Sequence, residues 1–390
     1  MLLSSPLYVL GGLASTLVKR RDGMWAFGCG SGLGEGALEL YRFSRAADPA
    51  LRLVWIARDR DELAEARRLG ITAVLRSSWA GFRATLRARV IVVTHGFGDV
   101  NRFGTRGSFV VQLWHGIPLK KIQLDSPVTF RSRFAPAGML KAMYRRNARS
   151  IALMPAASET SAARLRTAFG LSSDRVVVTG DPRDDVLFRS VDAARALLAD
   201  KLGDLGGSRV ILYAPTWRDG DVDPGIPAES EWRLIAASVD ASDSLLVLRP
   251  HPHSVGDYSA GPTFSARIRM LDAATQNDIN LVLPAVETVV TDYSSIAFDF
   301  ALTGRPIAFL APDVEAYRAS RGLYEPYEEF SGGNAVRSWP ELLELLGDPA
   351  AVRRLARHSE SLAATHHAYH DGRNTERVYE EILTRLRGQA

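Results

Sequence analysis

Two histidines, a set of hydroxyls and several cations follow directly on apolar, β-branched stretches of this 390-residue chain. They lie in four short segments: Trp114-His115-Gly116-Ile117-Pro118-Leu119-Lys120-Lys121, Tyr213-Ala214-Pro215-Thr216-Trp217-Arg218-Asp219, Arg249-Pro250-His251-Pro252 and Thr291-Asp292-Tyr293-Ser294-Ser295. In parallel α/β proteins such a break marks the carboxyl end of a strand, where a ligand crevice opens. A histidine there can take a proton near neutral pH, and hydroxyls and cations beside it can hold phosphates. The chemistry these residue types suit is deprotonation beside a bound phosphate.

His115 precedes a Gly-x-Pro turn that stops the chain from continuing as strand or helix. It reads either as a general base or as a structural histidine bonded to the turn. Lys120 and Lys121 favour the first, because cations near a base suit an anionic substrate and the chain has only five lysines. His95 ends the preceding strand without basic neighbours. Thr216, Arg218 and Asp219 put hydroxyl, guanidinium and carboxylate in one loop, and Arg249 and His251 follow with prolines as spacers. Ser294 and Ser295 stand where a helix begins, with Asp292 as a plausible cap; free amides and hydroxyls there suit a phosphate, and simple capping is the alternative.

The loop Gly28-Cys29-Gly30-Ser31-Gly32-Leu33-Gly34 fails the dinucleotide fingerprint, since the third glycine position falls on Leu33 or Glu35. It reads as a strand–helix turn. No P-loop, nucleophile elbow or H-E-x-x-H motif is present. His251/His253 and His366/His367 lack acidic or cysteine partners nearby, so neither metal nor cofactor is expected.

A formal net charge of +4, with 46% hydrophobic and 24% charged residues, fits a soluble globular protein. It suits phosphate-rich substrates or an anionic membrane and does not call for nucleic acid. Cys29 is the single cysteine, so no intrachain disulfide is expected and a reducing compartment is the default. The first eighteen residues carry no charge, and Lys19-Arg20-Arg21 follow them, the wrong order for a signal peptide. An interfacial or core-facing helix is expected there, with Leu7, Leu10, Ala14, Leu17 and Val18 on one side.

Positioning these segments requires a repeated strand–helix alternation. Strands are expected at 53–57, 71–75, 90–94, 109–113, 151–154 and 176–179, with helices at 61–69 and 159–169. The pattern restarts after a turn-rich stretch at 203–208. Strands at 210–213, 245–248, 288–290 and 307–310 then alternate with helices at 229–237, 294–302, 340–346 and 375–387. The fold class is α/β: two doubly wound, Rossmann-like domains facing each other across a cleft, spanning 1–185 and 186–390. Residues 126–150 break the rhythm with Arg131, Arg133, Lys141, Arg145, Arg146 and Arg149, no acidic residue, and interleaved Phe, Met and Tyr. A basic amphipathic insert suits an anionic bilayer; a solvated helix packed on its domain is the other reading.

Taken together, the segments closely resemble the CDP-glycerol glycerophosphotransferase family, the teichoic acid primases and polymerases. The family's W-H-G-x-P-L-K is matched by Trp114–Lys120, its Y-x-P-T-W-R by Tyr213–Arg218, its P-H-P by 250–252 and its T-D-Y-S-S by Thr291–Ser295. Similar sequence recurs at Gly180-Asp181-Pro182-Arg183-Asp184-Asp185, Arg321-Gly322-Leu323-Tyr324 and His370-Asp371-Gly372-Arg373. Departures are Ile117, Arg249 and Asp181.

The resemblance implies a GT-B fold, with the acceptor on the N-terminal domain, the donor nucleotide mostly on the C-terminal one, and peripheral attachment to the inner face of the cell membrane. It implies that His115 is the base, with His251 also among the catalytic residues. Thr216, Arg218, His251, Asp292, Ser294, Ser295 and Arg305 would serve the donor phosphates, and Lys120 and Lys121 would neutralise charge; for Arg305 the other reading is that Gly304-Arg305-Pro306 is only a helix-to-strand turn. The expected reaction is transfer of a polyol phosphate from a CDP-activated donor, most simply CDP-glycerol, to a hydroxyl of a lipid-linked or growing cell-surface polymer, releasing CMP. The alternative is a GT-B glycosyltransferase using a UDP- or GDP-sugar.

Overall fold

The computed structural model describes residues 11, 12, 15, 17–131, 135–218, 221–251 and 254–388, apart from the side chains at 320 and 321. It divides into two compact units. The first holds the described residues up to His115, then those of 132–185, and the chain from Asp371 onward; the second holds Gly116–Arg131 and Val186–His370. Relative to the expected boundary after 185, a short segment behind His115 groups with the second unit. The last helix groups with the first.

The first unit is built on a parallel sheet of seven strands: β1 Arg21–Phe27, β2 Arg52–Ala57, β3 Ala73–Leu75, β4 Ala88–Val93, β5 Phe109–Gln112, β6 Ile151–Ala156 and β7 Val176–Val178. Their order is β3-β2-β1-β4-β5-β6-β7, so the winding reverses between β1 and β4. Runs such as Val90-Ile91-Val92-Val93 are almost wholly buried, as a parallel sheet covered on both faces requires. The helix Glu159–Phe169 matches its expected bounds: Ser158 accepts from Ser161 N at one end, and Gly170, at φ 63°, closes the other.

The C-terminal helix Asn374–Arg387 completes this core. Val378 and Ile382 are fully buried in it, and Tyr379 lies 5.7 Å from the Trp25 ring. Its first turn is capped from far away in sequence, since Asp185 accepts from Asn374 N at 2.9 Å and Thr375 N at 2.7 Å. Gly180 lies so close that a Cβ there would fall 1.9 Å from Asn374 Oδ1. The Gly-Asp-Pro-Arg-Asp-Asp stretch thus holds Asn374 and Thr375, the residues that directly follow His-Asp-Gly-Arg.

The second unit repeats the architecture with β8 Arg209–Tyr213, β9 Ser244–Leu248, β10 Ile268–Met270, β11 Thr288–Thr291, β12 Ile307–Leu310 and β13 Ala335–Val336. The order β10-β9-β8-β11-β12-β13 reverses between β8 and β11. An 18-residue helix, Pro349–His366, was not expected; Asp348 caps it and Pro349 opens it. His366 and His367 belong to the core here. The His367 ring bonds the Phe298 carbonyl at 2.9 Å, and His366 packs 4.4 Å from the Phe298 ring.

Candidate active site

In the first unit the polar groups gather beyond the carboxyl ends of β1, β4 and β5, around the point where the winding reverses. His95 follows β4 and His115 follows β5. Their rings stack 4.2 Å apart at 10°. Trp114 reaches this turn in left-handed backbone, at φ 64°. Asp99 fixes the His95 turn by accepting from the backbone N–H groups of Thr94 (2.9 Å), His95 (2.7 Å) and Gly96 (3.3 Å).

The glycine-rich loop after β1 serves these histidines. A Cβ on Gly30 would meet His95 Cγ at 2.5 Å, and one on Gly28 would meet the Asp99 carbonyl oxygen at 2.3 Å. Only glycine lets the loop lie this close. The loop ends at Glu35, the first residue of the helix Glu35–Ala47, which sits at φ 54°. That left-handed conformation costs a residue with a Cβ roughly 1–2 kcal/mol. Ser31 Oγ donates to Glu35 Oε1 at 2.7 Å and orients the carboxylate.

The charges fall into an ordered set. Burial would raise the Glu35 carboxyl, but Arg183 first, then His95 and His115, hold it below its ordinary range. Burial and the neighbouring His95 push His115 down to about 3, against the pull of Glu35. At neutral pH His115 is therefore uncharged with a lone pair available. It is half-buried, and its Nδ1 is shielded without a hydrogen-bond partner among the described residues. An unpaired buried polar atom is costly unless a ligand completes it.

Cys29, Glu35 and His95 bring potential ligand atoms within 4.8 Å of one another. Burial, with Glu35 beside it, raises the Cys29 thiol well above its ordinary value. Sγ already engages the Ser31 and Thr94 hydroxyls at 3.1 and 3.2 Å. In this structure the three side chains belong to one hydrogen-bonded cluster, with Ser31 shared between Cys29 and Glu35 and Thr94 between Cys29 and His95.

In the second unit the corresponding groups follow β8, β9 and β11. Thr216 is buried; its N–H donates to Asp292 Oδ1 at 2.8 Å, and its hydroxyl finds no partner among the described residues. Trp217 stacks on His251 at 5.8 Å and 23°. Ser294 and Ser295 are half-buried at the carboxyl end of β11. Ser295 occupies the N-cap of the helix Ile296–Ala301 yet makes no side-chain capping bond, and Ser294 Oγ reaches Ile296 N only at 3.5 Å. Capping therefore does not account for the two hydroxyls.

Three expected roles change. Arg218 is engaged by protein: it bonds Asp292 Oδ2 at 2.8 Å, grips both oxygens of Asp313 at 2.8 Å, reaches the Thr216 carbonyl, and lies 5.1 Å from the Tyr293 and Tyr317 ring centres. Burial opposes its charge, but the Asp313 and Asp292 carboxylates outweigh that and raise its pKa. It ties the three loops together, and each of its guanidinium nitrogens already has a protein partner. Asp292 is a buried acceptor for Thr216, Tyr293 and Arg218, not the cap of the following helix. Arg305 precedes β12 and holds the Pro284 and Val286 carbonyls at 2.7 and 2.6 Å. In a parallel sheet the start of β12 is the opposite edge from the end of β11, so Arg305 cannot join the serines.

Lys120 and Lys121 lie in the second unit, where 120 bridges to Leu323 and Lys121 N bonds the Gly322 carbonyl at 3.0 Å. The Leu119-Lys120-Lys121 end of the first motif and the Gly-Leu-Tyr stretch at 322–324 thus meet within the second unit, and Tyr324 Oη donates to Asp125 at 2.7 Å. Arg249 fills a basket of carbonyls from Leu271, Asp272, Gln276 and Asn277. Within the basic insert, Ala137–Ala148 is helical; Arg131, Arg145, Arg146 and Arg149 are exposed and Lys141 half-buried, while Arg133 lies outside the described residues. Met139 and Met143 beside them are 50% and 40% exposed. Sequence reasoning missed Glu35, Arg183 and Asp313; a glutamate closing a glycine loop was the one signal available.

Residues 20–384 match the family model of CDP-glycerol:poly(glycerophosphate) glycerophosphotransferase. The chain belongs to that family. It is 29% identical over 244 residues to the teichoic acid ribitol-phosphate polymerase TarK of Staphylococcus aureus, covering 61% of this chain and 46% of TarK. It is 29% identical over 255 residues to a teichoic acid poly(glycerol phosphate) polymerase of Bacillus spizizenii, covering 62% of this chain and 61% of that protein. The chain thus spans about half the length of the curated relatives it matches. The solved structure of the wall teichoic acid polymerase TagF shares its fold, with a TM-score of 0.80 at 21% identity over 98% of this chain and 94% of TagF. No helix among the described residues is long and apolar enough to cross a membrane.

Proposed function

We propose that this protein transfers a polyol phosphate from a CDP-activated donor, CDP-glycerol in the simplest case, to a hydroxyl of a lipid-linked or growing wall polymer, with release of CMP. The observation that carries this reading is that all four polar segments follow β5, β8, β9 and β11 at their carboxyl ends, on or next to the strands that flank the winding reversals of their sheets. A TagF structure soaked with CDPG is among the similar folds.

His115 accepts the proton as the acceptor oxygen attacks the phosphorus that bears the polyol; the bond from that phosphorus to the CMP oxygen breaks. The donor is already activated, so alignment and charge stabilisation are the main tasks. The Thr216, Ser294 and Ser295 hydroxyls and the His251 ring, braced by Trp217, contact the donor phosphates, and Lys120 and Lys121 supply positive charge. Arg218 with Asp292 and Asp313 sets the loops that carry these groups. The exposed cations and methionines of the 137–148 helix hold the protein on an anionic membrane surface, the cytoplasmic face in a cell, where a lipid-anchored acceptor lies.

The test is incubation of purified protein with CDP-glycerol, CDP-ribitol and a synthetic lipid-linked disaccharide, with products read by mass spectrometry. CMP and a new phosphodiester support the reading. Turnover only with a UDP- or GDP-sugar, and no phosphodiester, overturns it.

A further inference from the structure

Glu35 has features that a helix start does not need. Its backbone is left-handed although it is not glycine. Ser31 orients its carboxylate, which lies within 4.8 Å of a His95 ring nitrogen, and His95 in turn stacks on His115. The next residue, Gly36, lies against the loop that carries Arg183, where a Cβ would come 3.2 Å from Arg183 N. The charged and titratable groups around the histidine pair are two carboxylates, Glu35 and the Asp99 that accepts from the His95 backbone, the Cys29 thiol and one guanidinium, Arg183, with the Thr94 hydroxyl on His95 Nδ1 at 2.8 Å; of the two carboxylates, Glu35 is the one that acts on His115.

We propose that Glu35 is a positioning residue for proton transfer, the fixed counter-charge that lets the stacked His95–His115 pair hold one proton. This rests on His115 being the base. When the acceptor O–H bond breaks, its proton forms an N–H bond on His115 while the acceptor oxygen bonds phosphorus and CMP departs. The imidazolium so formed faces Arg183 and His95, both unfavourable to a second positive charge. Glu35 remains a carboxylate throughout and offsets them. The strained backbone is what places it there, an arrangement expected where function outweighs local stability.

The experiment uses the full chain with labelled histidine and the Glu35→Gln variant, which keeps the side chain's shape. Histidine ring signals, assigned with His95→Gln and His115→Gln, follow proton uptake by the pair as a unit. Uptake in Glu35→Gln is expected about tenfold weaker or more, the effect of removing a close opposite charge. With donor and acceptor, kcat falls at least tenfold with the donor KM unchanged, and an acceptor analogue with a more acidic hydroxyl recovers most of the loss. Unchanged proton uptake in a folded Glu35→Gln variant overturns the proposal, as does equal loss with both acceptors. If wild-type protein turns over no CDP-polyol, the transferase reading fails, and proton uptake alone then decides the role of Glu35.

Discussion

Replacing Arg218 by alanine separates a scaffold from a phosphate clamp. The guanidinium and the Asp292 side chain are 7% and 3% exposed, and Asp313 is 24% exposed. Removing the cation leaves Asp292 buried without its partner, a change that costs about 3–5 kcal/mol in comparable pairs. Loss of the two ring contacts adds roughly 0.5–1 kcal/mol. For a unit of this size each kcal/mol lowers Tm by about 2–4 °C, so the second unit's transition drops by about 7–24 °C. Scanning calorimetry on the full chain reads that shift, and donor titration on the same preparations reads affinity. Arg218→Lys keeps the charge but loses the two-pronged grip on Asp313, and falls in between. Arg218→Met with Asp292→Asn regains part of the loss, because no buried charge is left alone. An unchanged Tm with weakened donor binding refutes the reasoning and returns Arg218 to the phosphates.

Four further outcomes follow from the geometry. His115 binds its proton less readily folded than unfolded, so its contribution is complete above about pH 6.5 and is lost as pH falls toward about 3; unfolding free energies from urea titrations at pH 7 and 5 should therefore differ by about 1–2 kcal/mol more in wild type than in His115→Gln. A Ser294→Ala, Ser295→Ala double variant weakens donor binding and lowers kcat, whereas His115→Ala abolishes turnover with donor affinity nearly intact, both by calorimetry and product analysis. Asp185→Ala removes the cap of the helix Asn374–Arg387 and lowers the first unit's stability by about 1 kcal/mol, read as faster proteolysis near residue 374. Reversing Arg145, Arg146 and Arg149 removes cations worth about 1 kcal/mol each at an anionic surface. Vesicle sedimentation should show at least tenfold weaker binding, with activity on a soluble acceptor preserved.

The strands were largely legible because both sheets are parallel and buried on two faces, which leaves uninterrupted β-branched runs. β10 and β13 escaped because three and two residues are too short for any period to show. The helix Pro349–His366 buries Ala351, Leu355, Ser359, Leu362, Ala363 and His366, a stripe in which leucines are outnumbered by small and polar residues, although Asp348-Pro349 announces its start. At the site, residue type was visible and partnership was not. Nothing in Tyr-Ala-Pro-Thr-Trp-Arg says that its arginine is claimed by a carboxylate 95 positions away. For Arg305 the structure takes the turn reading: Gly-Arg-Pro lies ahead of β12, at the strand's amino end, and the guanidinium holds backbone carbonyls there. Glu35 was passed over because the loop was measured against a nucleotide fingerprint, while its glycines make room for a histidine.

The helix Asn374–Arg387 has a consequence for how this protein is born. Asp185 and the amide it caps are 189 residues apart. At roughly 5–20 residues per second, a ribosome takes on the order of ten to forty seconds to cover that span. All that time Trp25 and its neighbours wait for Tyr379 and Ile382 to cover them. The second unit, apart from Gly116–Arg131, is synthesised inside this interval, so it can fold while the first is still open. A chain stalled or clipped before residue 371 would damage the unit that was made first, and chaperones that shield nascent chains would meet an apolar groove on the histidine-bearing sheet until the helix Asn374–Arg387 has emerged.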